Sequence, residues 1–122
     1  MASPTRGKSA VSPAHGEIWL VELDPVRGHE QGGTRPVLVL SVDAFNTLPL
    51  GIVLAVPLTT VSKGFPFHVA LAPPEGGVTA PSWIRCEDLR GLSTERFRSR
   101  WGRVRPETLQ ACAIVLRQLL GL

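Results

Sequence analysis

Arg35 is the residue whose type and setting best fit chemistry on a phosphate. It lies in the stretch Glu30–Pro36, between two apolar runs that predict strands, Glu17–Leu23 and Val37–Ser41. The two glycines of the stretch allow positive φ or the close approach of a ligand, and Pro36 restricts Arg35 to an extended conformation. The guanidinium would then stand at the mouth of a sheet, where its planar fork matches a phosphate. A hairpin loop with a merely solvated Arg is the alternative.

A second polar stretch begins where another apolar run stops. Gly51–Val56 predicts a strand that Pro57 ends, and Thr59 and Thr60 therefore emerge at its rim. Lys63 follows in a glycine-containing loop. Hydroxyl and ammonium groups near a strand end can all donate to phosphate oxygens. The same pattern also fits an ordinary polar loop.

The elements that must position these stretches are mostly short strands. Residues 43–46 fit a helical turn. Alternation and turn signals predict further strands at 67–71, 82–86 and 100–104. Short strands followed by one C-terminal helix predict a mainly β fold, a small curled barrel with a helical lid.

The C-terminal helix is predicted from apolar spacing. Pro106 suits its first position and Gly121 its C-terminal cap. Apolar residues recur between them at steps of three and four, which predicts one face packed across the sheet. The face consists of Leu109, Cys112, Ala113, Leu116, Leu119 and Leu120.

Length and composition limit the possible classes. The 122 residues predict a flexible arm over residues 1–15 and a single domain over 16–122. The net charge of +3 favours anionic partners. Cys86 and Cys112 are far apart in sequence and predict buried thiols rather than a metal site or a disulfide scaffold. Neither a membrane span nor a secretory signal is visible, so we expect a cytoplasmic protein.

Taken together and in order, these stretches resemble the MazF/PemK family of toxin endoribonucleases. The resemblance rests on Gly16–Val21, Asp24–Val39, Val56–Thr60 and Ser62–Phe67, and later segments around 86–89 and 102–109 also look like the family. It covers Gly16–Leu122, although each piece alone is a weak signal.

The resemblance implies a fold, an activity and partners. The fold would be the SH3-like small barrel that this family shares with the CcdB toxins, and the working unit a homodimer. The activity would be metal-independent, sequence-specific cleavage of single-stranded RNA, leaving 2′,3′-cyclic phosphate and 5′-hydroxyl ends and inhibiting translation. No cofactor is implied. The partner would be an antitoxin whose acidic tail folds over the RNA groove.

The resemblance also assigns roles to residues. Arg35 matches the family's essential Arg and Thr59 its catalytic Thr. Glu30 is our candidate base or Arg-orienting group, and a loop residue that tethers Arg35 or Gln31 is the alternative. The candidate RNA-binding residues are Arg27, Gln31, Thr34, Thr60, Ser62, Lys63 and Phe65. His29 and His68 are weaker acid–base candidates.

Two other functions remain open from the sequence. One is a CcdB-like DNA gyrase poison without nuclease activity, although the chain lacks the C-terminal Trp that such poisons use. The other is a catalytically dead binding barrel.

The segment Arg85–Arg105 holds seven Arg against three carboxylates, which fits either an RNA or antitoxin surface or a solvated face. Core or dimer packing is expected for Trp19, Trp83 and Trp101.

Overall fold

A computed structural model describes residues 11–23 and 33–122. In this part of the chain, seven strands and two helices follow one another. The strands are β1 Glu17–Leu23, β2 Gly33–Val39, β3 Ile52–Thr59, β4 His68–Leu71, β5 Ser82–Arg85, β6 Arg90–Ser93 and β7 Phe97–Arg103. The helices are α1 Asp43–Asn46 and α2 Pro106–Leu120, and single 3₁₀ turns span Glu75–Gly77, Cys86–Asp88 and Thr94–Arg96. None of the helices described is long and apolar enough to cross a membrane.

One antiparallel sheet organises the fold. Its strand order is β4-β5-β3-β2-β1-β7, and β6 pairs with β3. β5 and β6 both pair with β3, β6 at Ile52–Ala55 and β5 at Leu58–Thr59. The mainly β architecture with a C-terminal helix, predicted from the sequence, is confirmed.

The central strands are covered on both faces. On β2, Leu38 belongs to one buried cluster, whereas its neighbours Val37 and Val39 belong to the other. Alternate residues of a strand point to opposite faces of the sheet, so this division explains why the run is continuously apolar. A strand predicted at Val37–Ser41 is present, but it runs from Gly33 to Val39. Arg35 was predicted in the loop before it and instead lies within β2, where it pairs with Val21.

Two further strand predictions need correction. β6 was not predicted, because its four residues Arg-Gly-Leu-Ser show no clear apolar alternation. Pro57 does not end its strand, since β3 continues to Thr59. A proline lacks the N–H that a ladder needs and is tolerated where pairing is changing, and Pro57 is the last residue of β3 that pairs with β2.

Helix α2 begins and ends as predicted but buries less of its apolar face. Gly121 adopts φ 71° and closes the helix, with the Leu122 N–H donating to Arg117 O at 2.9 Å. Cys112 is fully buried, and Leu109 and Leu116 pack partly against the core. Leu119 and Leu120 were predicted to be buried and instead are exposed, as is Ala113. Leu116 is the last residue of α2 that packs against the buried cluster of the described chain.

The chain before β1 is fastened to the sheet by Glu17. This carboxylate accepts hydrogen bonds from the Ala14 N–H and the Trp19 indole, each at 2.9 Å, and from Arg100 Nε at 2.7 Å. Burial would raise the pKa of Glu17, but these hydrogen bonds outweigh it and hold the pKa below its ordinary value. Of the predicted arm, residues 11–15 are described, and Val11 packs against the core.

Cys86 and Cys112 meet in the core. Both are buried free thiols, as predicted, and they belong to the same apolar cluster. The fold brings them together from the turn after β5 and from α2, so their side chains hydrogen-bond to each other. This hydrogen bond, with burial, raises the pKa of Cys112, so the Cys112 thiol stays neutral.

Candidate active site

A groove opens where β2 and β3 part. The two strands pair at Val39↔Ala55, Leu38↔Val56 and Val37↔Pro57, and the ladder stops at the last of these pairs. Beyond that point, β2 stays with β1 as far as Gly33, whereas β3 stays with β5 through Thr59. Neither Pro36 nor Pro57 has an N–H with which to extend the ladder. The sequence therefore separates the strand ends and leaves a cleft between them.

Arg35 and Thr59 line this groove from its two strands. Its volume is about 480 Å³. The lining also includes residues after β4 and one residue of β7, and the full set is Thr34, Arg35, Pro36, Leu58, Thr59, Thr60, Val61, Val78, Thr79, Ala80, Ser82 and Trp101. A guanidinium and several hydroxyls thus share one concave surface, which suits a phosphate and its neighbouring groups.

The Thr59 hydroxyl is oriented by the chain that follows it. Its Oγ1 accepts a hydrogen bond from the Val61 N–H at 3.1 Å. This is the local turn that Ser and Thr favour at strand ends. Because the hydroxyl oxygen is the acceptor here, its own proton remains available for donation into the groove. Thr59 can therefore donate to a phosphate oxygen from a fixed position.

Thr59 also borders a second, smaller pocket. This pocket measures about 250 Å³ and is lined by Thr59, Lys63, Phe65, His68, Arg85 and Glu87. Phe65 is 46% exposed and stacks on Phe67 with ring centroids 5.1 Å apart. An exposed ring with a rigid ring behind it is a surface on which a nucleobase can stack.

A His–Glu–Arg cluster forms the wall of the smaller pocket. Glu87 Oε2 lies 3.1 Å from His68 Nε2 and accepts a hydrogen bond from Arg85 Nε at 3.2 Å. Burial would raise the pKa of Glu87, but hydrogen bonds from His68, its own backbone and Arg85 outweigh it and lower the pKa. The His68 side chain is only 4% exposed, and its Nδ1 has no hydrogen-bond partner among the described residues. His68 is therefore held by Glu87 through one ring nitrogen, while its other ring nitrogen is buried.

The structure gathers many of the predicted site residues. Thr34, Arg35, Thr59 and Thr60 line the large groove, and Lys63 and Phe65 line the small pocket. Ser62 is exposed in the loop between them. Glu30, Arg27 and Gln31, together with His29, lie outside the described residues.

Sequence reasoning missed several groups at the site. Arg85 and Glu87 belong to it, because β4 and β5 pair in the register His68↔Arg85. Trp101 also lines the large groove, although core or dimer packing was expected for it, and it is 37% exposed. Trp19, in contrast, is in the core as expected. The sequence does carry a signal that separates the two residues, since Trp19 is flanked by Ile18 and Leu20 and Trp101 by Arg100 and Gly102.

Most of the arginines between Arg85 and Arg105 are occupied by carboxylates. The ion pairs are Arg85–Glu87, Arg98–Glu22, Arg100–Glu17, Arg103–Glu17 and Arg105–Glu75. Paired charges attract a polyanion less than free ones do. The arginine run therefore contributes less positive potential than its composition indicates. Within residues 11–23 and 33–122, no group of three or more His, Cys, Asp or Glu could hold a metal ion.

Comparison with known proteins places this geometry in a family. The family described as "PemK-like, MazF-like toxin of type II toxin-antitoxin system" matches residues 14–120. The chain is 37% identical over 110 residues to the endoribonuclease toxin MazF of Escherichia coli K12, spanning 89% of this chain and 95% of that protein. It is 40% identical over 99 residues to the endoribonuclease PemK of Escherichia coli, spanning 77% of this chain and 71% of that protein.

Solved structures show the same fold. A MazE–MazF crystal structure from Deinococcus radiodurans contains a chain that superposes with a TM-score of 0.77 at 33% identity, covering 92% of this chain and 98% of that one. An endoribonuclease in complex with its cognate antitoxin, from a mycobacterial species, superposes with a TM-score of 0.69 at 26% identity, covering 91% and 95%. The SH3-like small barrel of these toxins is thus confirmed as the fold.

Proposed function

The chain belongs to the PemK-like, MazF-like toxins of type II toxin–antitoxin systems, and from this premise we propose how its groove cuts RNA. It is a toxin endoribonuclease, like its relatives MazF and PemK. The observation that carries the proposed mechanism is that Arg35 and Thr59 line one groove. The predicted alternative, a gyrase poison of the CcdB type, is not favoured, because the relatives are named endoribonucleases.

The reaction we propose uses the substrate's own nucleophile. The 2′-oxygen of a ribose attacks the adjacent phosphorus after losing its proton to a base. The bond from phosphorus to the 5′-oxygen breaks, and that oxygen takes up a proton. One product then ends in a 2′,3′-cyclic phosphate and the other begins with a 5′-hydroxyl.

Arg35 and Thr59 would stabilise the charge that builds on the phosphoryl oxygens. The guanidinium offers two parallel donors to those oxygens, and the Thr59 hydroxyl offers a third donor from the opposite strand. Glu30, which precedes β2 in the sequence, remains our candidate for the base or for a group that orients Arg35.

Single-stranded RNA is the substrate that the groove favours. A nucleotide must unstack for its 2′-oxygen to align with the phosphorus, and single strands unstack at least cost. The groove and the small pocket meet at Thr59, so a strand crossing both would place nucleotides on each side of the cut. Because such a substrate includes messenger RNA, the toxin would act in the cytoplasm and stop translation.

The partner of this toxin is a cognate antitoxin, and we propose that an acidic segment of it occupies the groove. Arg35 and Lys63 line the two cavities and would attract carboxylates as they attract phosphates. We further propose a homodimer. Apolar side chains at the end of α2 support it, since Ile114, Leu119 and Leu120 are exposed, and exposed apolar patches often mark interfaces.

The test is digestion of a long single-stranded RNA by the purified protein. Discrete fragments with 5′-hydroxyl ends are expected, and sequencing of these ends gives the recognised sequence. A duplex of the same sequence should resist cleavage. Intact single-stranded RNA, together with inhibition of DNA gyrase, would overturn the proposal in favour of the alternative.

A further inference from the structure

Trp101 occupies a β-bulge on β7. Ile18 of β1 pairs with Gly102, but the next residue, Trp19, pairs with Arg100. Trp101 is therefore the extra residue on its strand, opposite no partner. Bulges of this kind redirect a side chain and are frequent beside active sites. The register shift is what takes Trp101 out of the regular alternation of β7.

Close backbone packing holds the bulge in place. A Cβ atom on Gly77 would lie 2.4 Å from the Trp101 carbonyl oxygen, and one on Gly102 would lie 2.8 Å from the Gly76 carbonyl carbon. Gly76 and Gly77 also adopt φ of 67° and 84°, which side chains disfavour. The turn Glu75–Gly77 can therefore sit directly on the backbone of Trp101 only because these positions are glycine.

Trp101 thus combines a fixed backbone with an accessible ring. It is 37% exposed, stacks on no other aromatic ring of the described chain, and lines the groove that contains Arg35 and Thr59. An indole is a large flat apolar surface, and in a buried Trp its N–H usually donates a hydrogen bond to a partner. Here the chain itself supplies neither a stacking ring nor a hydrogen bond to the indole from the residues described.

We propose that Trp101 is the platform on which one unpaired nucleobase of the RNA stacks, next to the linkage held by Arg35 and Thr59. The inference rests on the proposed function and adds a specificity-determining residue to it. A nucleobase fits better than a protein side chain, because the platform shares its groove with a guanidinium and with the hydroxyls of Thr34, Thr59, Thr60 and Thr79. A flat base flanked by phosphates matches that combination.

The first measurement is the affinity for an RNA oligonucleotide that contains the mapped cleavage sequence with a 2′-deoxy sugar at the cut. Trp101→Ala should weaken binding by about 5- to 100-fold, as expected for the loss of one stacked base. Trp101→Phe should stay within about threefold of the unchanged protein, because it keeps a stacking ring. Ser99→Ala is the matched control, since Ser99 is exposed on the same strand and does not line the groove.

The second measurement is the sequence preference of cleavage. Trp101→Ala should relax the preference at one nucleotide position next to the cut and leave the preference at other positions unchanged. Sequencing of the 5′-hydroxyl ends produced by the unchanged protein, Trp101→Ala and Ser99→Ala measures this sequence preference.

The outcomes separate the inference from the function on which it rests. If the unchanged protein cleaves no RNA, the proposed function fails. If it cleaves, but Trp101→Ala binds and selects sites normally, only the platform is refuted. If Trp101→Ala changes the oligomeric state measured by sedimentation, Trp101 is an interface residue and the inference is likewise overturned.

Discussion

Arg35 and Thr59 stand two residues beyond the last β2–β3 pair, Val37↔Pro57, one on each strand. Continuation of the ladder would have made them cross-strand neighbours, with their side chains engaged in sheet packing. The parting of the strands turns them into the two sides of a groove instead. The groove is thus a direct result of how β3 exchanges one neighbour for another.

Arg35→Ala should reduce the rate of RNA cleavage by at least about a hundredfold, because it removes donors from the developing charge. Arg35→Lys should recover only part of this loss, since an ammonium cannot form the bidentate contact. Arg90→Ala is the control, because Arg90 is exposed on β6 and lines neither cavity. Single-turnover cleavage rates of a short RNA give the comparison. A rate for Arg35→Ala close to that of the control would remove Arg35 from the mechanism.

Thr59→Val and Thr59→Ser separate the hydroxyl from the shape of the residue. Val should lower the cleavage rate constant by on the order of a hundredfold, because it removes a donor to the transition state. Ser should retain most of the rate, because it keeps both the donor and the acceptor for the Val61 N–H. Both variants should unfold at temperatures close to that of the unchanged protein. Equal rates for Val and Ser would show that the hydroxyl takes no part.

Glu30→Gln tests the proposed base, which lies outside the described residues. If Glu30 accepts the 2′-proton, the variant should lose about 10²- to 10⁴-fold in rate and lack the acidic limb of the pH–rate profile. If Glu30 only orients Arg35, the rate should fall while the acidic limb keeps its midpoint. An unchanged rate would exclude both roles.

Cleavage should continue in excess EDTA at an undiminished rate. The nucleophile is already part of the substrate, so no metal-bound water is required, and Arg35 supplies positive charge at the phosphate. The check is cleavage of one RNA with and without EDTA after exhaustive dialysis. Strict dependence on a divalent cation, restored by its addition, would contradict the mechanism.

Glu75 should stabilise the fold above, but not below, its titration range. Its Oε2 accepts hydrogen bonds from the Thr108 hydroxyl and, at 2.9 Å, from the Arg105 N–H, at the start of α2. Burial would raise the pKa of Glu75, but these bonds and Arg105 lower it below its ordinary 4.5. A group with a lowered folded-state pKa stabilises fully above the unfolded value and loses this effect as the pH falls through the folded value.

The measurement is urea unfolding of the unchanged protein and two variants. Glu75→Ala should lower the free energy of unfolding at pH 7 by about 1–2 kcal/mol, because it leaves the helix start uncapped. Glu75→Gln should lower it less, and its difference from the unchanged protein should be smaller at a pH well below 4.5 than at pH 7. Glu107→Gln is the control, since Glu107 is an exposed carboxylate in the first turn of α2. If the free energies of unfolding of Glu75→Gln and the unchanged protein differ by the same amount at both pH values, Glu75 does not act as an ionised cap.

The central pair could be predicted because its signals are local. Gly and Pro mark the chain on either side of Arg35, and Pro57 precedes Thr59, so both residues could be placed at the rim of the sheet from neighbouring residues alone. The strand bounds were less accessible, since β2 includes Arg35 and β3 continues through Pro57 to Thr59. The helix was equally accessible through its spacing and its Gly121 cap. The predicted burial of Ala113, Leu119 and Leu120 was wrong, because burial depends on which distant segments pack against the helix.

The rest of the site depends on pairing between distant segments. His68 meets Arg85 and Glu87 only through the β4–β5 register. Trp101 reaches the groove only through a bulge that the partner strand defines. A one-residue shift of register moves a side chain to the other face of a sheet, and no local pattern specifies that shift.

The hydrogen bond from the Val61 N–H to Thr59 Oγ1 links the loop after β3 to the hydroxyl that we propose acts on the phosphate. The loop carries Lys63 and Phe65, which border the smaller pocket. A ligand that moves this loop would also change the orientation of the Thr59 hydroxyl, because the Val61 N–H that orients it belongs to the loop. Discrimination between RNA sequences can therefore appear in the speed of the cut even where tightness of binding is the same, since a wrong base leaves the hydroxyl misdirected.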